Sequence, residues 1–210
     1  MWHKVSPISF RIPYIKNWVS TWYADKDNYS TILKADHQIR SALKTELKDI
    51  PAWDTHISRL ENTVVVDIFT IKPALVLGKD NENLEALEKK LSKIAKETVK
   101  VNVKEIKKPD LVAKVVWFNV VNQIEKRMPY KRAIKQAIQR SMEKWAKWVK
   151  IKIGWRLNWA EIARKETFKE GNIPTQTIRA DLDYCSLRAE TVYWTLWIKI
   201  WIYKWDIYKK

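Results

Sequence analysis

The sequence predicts an α+β protein of two domains joined near residue 108. Three observations carry this. The chain has 210 residues and is 46% hydrophobic, enough for two small cores. Apolar residues recur with helical spacing in some segments and alternate with period two in others, in both halves. Pro109 then breaks the pattern after a basic run, Lys107-Lys108. The expected domains are a basic arm over residues 1–16, a domain over 17–108, and a C-terminal domain over 109–210. In the last, two helices pack on a mainly antiparallel four-stranded sheet.

The elements follow in order. Residues 1–16 carry Lys4, Arg11 and Lys16 around Pro7 and Pro13, and read as an extended arm. A helix is expected over residues 31–48, with Ser30 as N-cap and Ile32, Leu33, Ile39, Leu43 and Leu47 near one stripe. Asp36 and Arg40 interrupt that stripe, and His37 flanks it as a core-edge residue. Residues 55–61 and 63–71 read as strands, the second strongly β-branched. Ala74 to Leu77 form a short apolar turn before a tight loop. Asn83 to Glu97 is a helix with Leu84, Leu87, Leu91, Ile94 and Ala95 inward, and residues 100–107 alternate as a strand. Helices are expected over 110–126 and 129–146, with Pro129 at the first helical position. Strands follow over 148–157, 162–170, 176–185 and 188–204.

Charge narrows the partners. Forty Lys and Arg against 24 Asp and Glu give a formal net charge of +16, which suits a polyphosphate partner through counterion release. An anionic membrane surface is the competing partner, because Trp and Lys also suit lipid interfaces. No apolar run approaches the roughly 20 residues of a membrane span. Pro7 and Arg11 break any signal-like apolar core. The lone Cys185 allows no internal disulfide, so a cytoplasmic setting is expected.

Four groups of residues invite functional readings. Gly78-Lys79-Asp80-Asn81 lies between a short helix and a longer one, where KH domains place a Gly-x-x-Gly loop that clamps a nucleic-acid backbone. The alternative is an ordinary helix-start turn. Asn81 tolerates left-handed geometry, whereas Asp80 adds negative charge where phosphate would sit. Lys126, Arg127, Lys131, Arg132, Lys135 and Arg140 form a cationic face with no acid between Lys126 and Arg140, either a phosphate track or a solvated face. On the same helix Tyr130, Ile134, Ile138 and Ser141 cluster on the opposite side. Glu161, Asp181 and Asp183 have no histidine, nucleophile or metal-ligand spacing beside them. Ion pairs with Arg156, Arg164 and Arg179 are expected instead, and neither enzyme chemistry nor a cofactor is indicated. Trp145, Trp148, Trp155 and Trp159 admit a base-stacking platform, a membrane belt or plain core and turn positions.

Taken in order, several motifs resemble the bacterial small-ribosomal-subunit S-three family over almost the whole chain. They include Lys72-Pro-Ala-Leu-Val-Leu-Gly-Lys79, Gln123-Ile-Glu-Lys-Arg127, Lys131-Arg-Ala-Ile-Lys135, Arg156 to Arg164 and Ile178-Arg-Ala-Asp-Leu-Asp-Tyr184. The resemblance implies an N-terminal type II KH domain and a C-terminal α+β domain in a non-catalytic protein of the subunit head. It implies small-subunit ribosomal RNA and messenger RNA as partners, and ribosomal proteins ten and fourteen as neighbours. No membrane and no homo-oligomer are implied. Arg127, Lys131, Arg132 and Lys135 match the family's basic helix at the messenger RNA entrance. Gly78 to Asn81 match its KH loop without the second glycine, and the extended basic tail of many members is missing. Lys4, Arg11, Lys150, Arg156 and Arg164 are further expected RNA contacts. A free-standing KH-type regulator and a membrane-surface protein are the alternatives.

Glycine is the anomaly: the chain has 3, where about 7% usage predicts roughly 15, and it has 13 tryptophans. Trp2, Trp53, Trp145, Trp148, Trp155, Trp159, Trp194, Trp197 and Trp205 stand where the resembling family usually has glycine. A UGA codon read as glycine in some bacteria, but translated as tryptophan, gives this pattern. On that hypothesis most of the nine should lie in turns, at element ends or on the surface. Trp18, Trp22 and Trp201, which the family shares, should be better buried.

Overall fold

The computed structural model describes residues 4–47, 50, 52–60, 63–78, 81–158 and 160–208, with only the backbone described for 52 and 53. Trp2, Lys79, Asp80 and Trp159, and the side chain of Trp53, therefore lie outside the described structure. The chain divides into two compact units, Trp18–Lys107 and Met1–Asn17 with Lys108–Lys210.

The first unit runs β1 (Ser20–Thr21), α1 (Tyr29–Glu46), β2 (Ala52–Leu60), β3 (Thr63–Thr70), α2 (Pro73–Leu77), α3 (Glu82–Ala95) and β4 (Thr98–Glu105). The sheet order is β1-β2-β3-β4. Strands β2 and β3 are antiparallel, whereas β3 and β4 run parallel from Thr63↔Thr98 to Thr70↔Glu105. A parallel pair needs a crossover, and α2 with α3 supplies it. Val64, Val66 and Ile68 of β3 are fully buried and meet Ile39 and Leu43 of α1 and Leu91 of α3 in one core.

Two details of α1 differ from expectation. Its N-cap is Asn28 rather than Ser30. The polar interruptions of its stripe are structural: buried Asp36 accepts a hydrogen bond from Ser20 Oγ at 2.8 Å and pairs with Arg40 at 3.5 Å. Arg40 also donates to the Thr55 carbonyl at 2.9 Å, fastening the helix to β2.

The second unit contains 3-10 turns at Ser9–Arg11 and Pro109–Leu111, helices α4 (Ala113–Glu125) and α5 (Tyr130–Glu143), and strands β5 (Trp148–Trp155), β6 (Arg164–Glu170), β7 (Ala180–Glu190) and β8 (Thr195–Asp206). All pairings are antiparallel, in the order β6-β5-β8-β7. Val149, Ile151 and Ile153 of β5 and Ile198, Ile200 and Ile202 of β8 share a core with Val116 and Val120 of α4 and Ala133, Ile134 and Ile138 of α5. The helix expected over 110–126 is instead a 3-10 turn, an extended Val112 and then α4. The break between the last strands falls at 191–194 rather than 186–187. Thr191 and Trp194 close that turn through the Thr191 N–H and hydroxyl, both donating to the Trp194 carbonyl. Ser186 and Arg188 simply continue the alternation.

The N-terminal arm departs most from its expected extended form. It coils through the Ser9–Arg11 turn and belongs to the second unit. Arg11 is fully buried. Its guanidinium donates to the carbonyls of Ala180 (2.7 Å), Pro7 (2.8 Å), Thr177 (2.9 Å), Pro174 (3.1 Å) and Thr175 (3.1 Å). Lys16 pairs with the buried carboxylate of Asp183 at 3.4 Å. The other oxygen of Asp183 accepts the N–H of Ala113 at 2.8 Å, at the positive end of α4.

The tryptophans separate into classes. Trp145 has φ 73° and is 83% exposed; Trp155 has φ 120° and is 46% exposed. Backbone near φ 120° is a region that side chains with a Cβ rarely adopt, at a cost of order 1–3 kcal/mol. Trp197 and Trp205 are exposed on β8, and Trp148 and Trp194 are half-buried. None of these six is fully buried, in line with the glycine hypothesis. Trp22 and Trp201 are half-buried, the same class as Trp148 and Trp194, and Trp18, which precedes the two-residue edge strand β1, is 64% exposed, so the better burial expected of the shared tryptophans is not found.

A candidate nucleic-acid interface

Helix α5 carries the cationic face. Its buried residues are Tyr130, Ala133, Ile134, Ile138 and Ser141, the apolar side the helical spacing predicts. Lys131, Arg132, Lys135, Gln136, Gln139 and Arg140 are exposed. The Tyr130 hydroxyl donates to Glu166 Oε2 at 2.9 Å, tying the start of the helix to β6. Burial, and then the Glu166 carboxylate, raise the Tyr130 pKa above its ordinary value.

The link from α4 to α5 is a tight turn. Arg127 takes φ 62° and donates its N–H to the Ile124 carbonyl at 2.9 Å. Lys126 and Arg127 are thereby left exposed next to α5. Among the described residues none of Lys126, Arg127, Lys131, Arg132, Lys135 and Arg140 forms a salt bridge. Unneutralised cations on one helical face attract phosphate rather than each other.

The KH-type loop is described at its two ends. Gly78 ends α2 at φ 74°, and a Cβ there would sit 2.6 Å from the Asn83 side-chain nitrogen. Asn81 precedes α3 with φ 66°. The residue standing for the second glycine thus adopts the left-handed conformation expected of it.

The remaining predicted contacts divide. Lys4 and Arg156 are exposed. Lys150 lies with its ammonium 5.2 Å from the Trp201 ring centroid. Arg164 is exposed and pairs with Glu166 at 3.4 Å. Arg11 is a correction: it is fully buried and donates to five main-chain carbonyls inside the unit, so it is a structural residue and not an exposed RNA contact. The acids also choose other partners than expected. Asp181 pairs with Lys204 (3.8 Å), Asp183 with Lys16, and Arg179 with Asp206 (3.9 Å). Among the described residues no three His, Cys, Asp or Glu side chains gather as a metal site, and no helix is long and apolar enough to cross a membrane.

Comparison with known proteins matches residues 38–111 to the KH domain and residues 120–202 to the C-terminal domain of ribosomal protein S3. The small ribosomal subunit protein uS3 of Bacillus thuringiensis (strain Al Hakam) is 42% identical over 207 residues, covering 99% of this chain and 94% of that protein. The chain belongs to the uS3 family. The uS3 proteins of Enterococcus faecalis and Shouchella clausii are 43% and 41% identical over the same span. A uS3 protein is an RNA-binding structural component of the small ribosomal subunit in translation, not an enzyme. The helix and strand order of the first unit is accordingly that of a KH domain, and α4, α5 and β5–β8 form the family's C-terminal domain.

Proposed function

We propose that this uS3 protein binds small-subunit ribosomal RNA in the subunit head, in the cytoplasm, and helps form the messenger RNA entrance channel. The observation that carries this is the α5 face: Lys131, Arg132 and Lys135 are exposed, form no salt bridge among the described residues and are mounted on a helix whose other side is locked in the core. A rigid helix holds three cations at fixed spacing against a phosphate backbone. Arg127 extends that row, and the loop from Gly78 to Asn81 offers a second backbone contact in the KH manner. Lys4, Lys150, Arg156 and Arg164 add ribosomal RNA contacts. Ribosomal proteins ten and fourteen are the proposed protein neighbours.

The test replaces Lys131, Arg132 and Lys135 by Ala together. Small subunits carrying this variant should assemble, yet load a messenger with a stable hairpin downstream of the start more slowly than one without. Equal loading of both messengers would remove α5 from the channel. Failure of the unaltered chain to co-sediment with small subunits would remove the ribosomal placement.

A further inference from the structure

Helices α4 and α5 pack on the face of the β6-β5-β8-β7 sheet that carries Val149, Ile151, Ile198 and Ile200. On the other face, strand register builds three adjacent rows. Lys150 of β5 stands between Lys169 and Trp201, Lys152 between Thr167 and Lys199, and Gly154 between Lys165 and Trp197. Strand β7 extends the rows with Tyr184, Ser186 and Arg188. Six cations, Lys150, Lys152, Lys165, Lys169, Arg188 and Lys199, thus share a patch with no acidic residue in its three rows. The next acid on this face, Glu190, lies one row further out at the β7 corner. Among the described residues none of the six cations is in a salt bridge. Neighbouring strands lie about 4.8 Å apart and rows about 7 Å apart, so these are close like charges.

The Lys152 pKa is lowered, by burial first and then by Lys4, Lys165, Lys150 and Lys199 around it. A folded sheet that gathers cations without counter-ions is complementary to a polyanion. Aromatic residues lie in the same patch. Trp201 is half-buried beside Tyr184, ring centroids 5.2 Å apart, with the Lys150 ammonium over its ring. A π-face flanked by cations suits an unpaired base stacked beside its own phosphates.

We propose that this open face of the C-terminal sheet is a docking surface for a single-stranded segment of RNA, separate from the α5 face. The cations hold the ribose–phosphate backbone and the Tyr184–Trp201 pair receives a base. The proposal rests on the ribosomal RNA-binding reading and specifies a second surface for it.

The test uses the full chain and a fluorescein-labelled 12-nucleotide single-stranded RNA, with affinity measured against salt. Lys150→Gln, Lys152→Gln and Lys199→Gln together should lower the slope of log affinity against log salt by about 2, since each single-strand phosphate contact contributes about 0.7. The same change at exposed Lys34, Lys44 and Lys93 of the first unit should leave the slope unchanged. Trp201→Leu should weaken binding on the order of 10-fold at constant slope, by removing the stacking surface. Equal slopes for the two triple variants would overturn the proposal. So would a face variant that keeps RNA binding but loses binding to phosphatidylserine vesicles. If the unaltered chain binds neither this RNA nor small subunits, the ribosomal reading itself fails. If it binds both while the face variant keeps its slope, only the sheet surface fails.

Discussion

Arg11→Ala should selectively destabilise the unit formed by the arm and residues 108–210. The side chain is fully buried and donates to five carbonyls, three of them in the 174–177 segment and one at the start of β7. Hydrogen bonds from a charged group are worth about 1.5–3 kcal/mol each, so the gross loss exceeds about 7 kcal/mol. Removing the guanidinium also removes its own desolvation cost, several kcal/mol, and water reaches some of the freed carbonyls. The net expectation is about 3–5 kcal/mol, because each freed carbonyl that stays buried and unpaired costs about 1–3 kcal/mol. For a unit of this size that is a fall in Tm on the order of 10 °C. Hydrogen exchange resolved by mass spectrometry localises the effect: amides of β5, β7 and β8 should lose protection while those of β2, β3 and β4 keep theirs. Arg11→Lys should recover only part of the loss, because an ammonium has three donors and no planar fork. Uniform loss of protection in both units, or a shift no larger than that of exposed Arg156→Ala, would refute the reasoning.

Other perturbations test other parts of the chain. Trp155→Gly relieves backbone at φ 120°; release of ~1–3 kcal/mol of strain less ~0.5–1 for glycine's entropy leaves a gain near ~1 kcal/mol in urea unfolding. Trp197→Gly, on regular strand, should lose stability instead, and equal losses at both positions would contradict the strain at 155. Burial pushes the Cys185 thiol from its ordinary value near 9 up to about 12. The unfolded chain therefore releases this proton first, and stability falls as pH rises from about 9 to about 12, by about 1.4 kcal/mol per pH unit at most. Cys185→Ala should flatten that segment of the stability–pH curve, and an unaltered slope would assign it to other groups. Asp183→Asn should cost about 1–3 kcal/mol, since it removes the charge that meets both Lys16 and the first N–H of α4. Exchange in the first turn of α4 reads this directly, and unchanged protection there would deny the cap.

Much of this fold was legible because period and composition are local properties. The α5 helix shows it best: Tyr130, Ile134, Ile138 and Ser141 fall on one side by spacing alone, and all four are buried. Its opposite side was legible as cationic for the same reason. The left-handed turn at Asn81 followed from side-chain chemistry, and the exposed, positive-φ tryptophans at 145 and 155 from a count of glycines. Only tertiary structure could decide the rest. Arg11 reads as a surface cation until the carbonyls of residues 174–180, far along the chain, converge on it. Asp36 and Arg40 look like faults in an apolar stripe until Ser20 and Thr55 approach them. Lys150 and Lys199 are ordinary strand lysines until antiparallel register sets them on one face with four other cations. Spacing along a chain fixes which face of an element is apolar. Which distant groups share a dielectric environment, and so which charges are buried, paired or left for a partner, is fixed only when the sheets close.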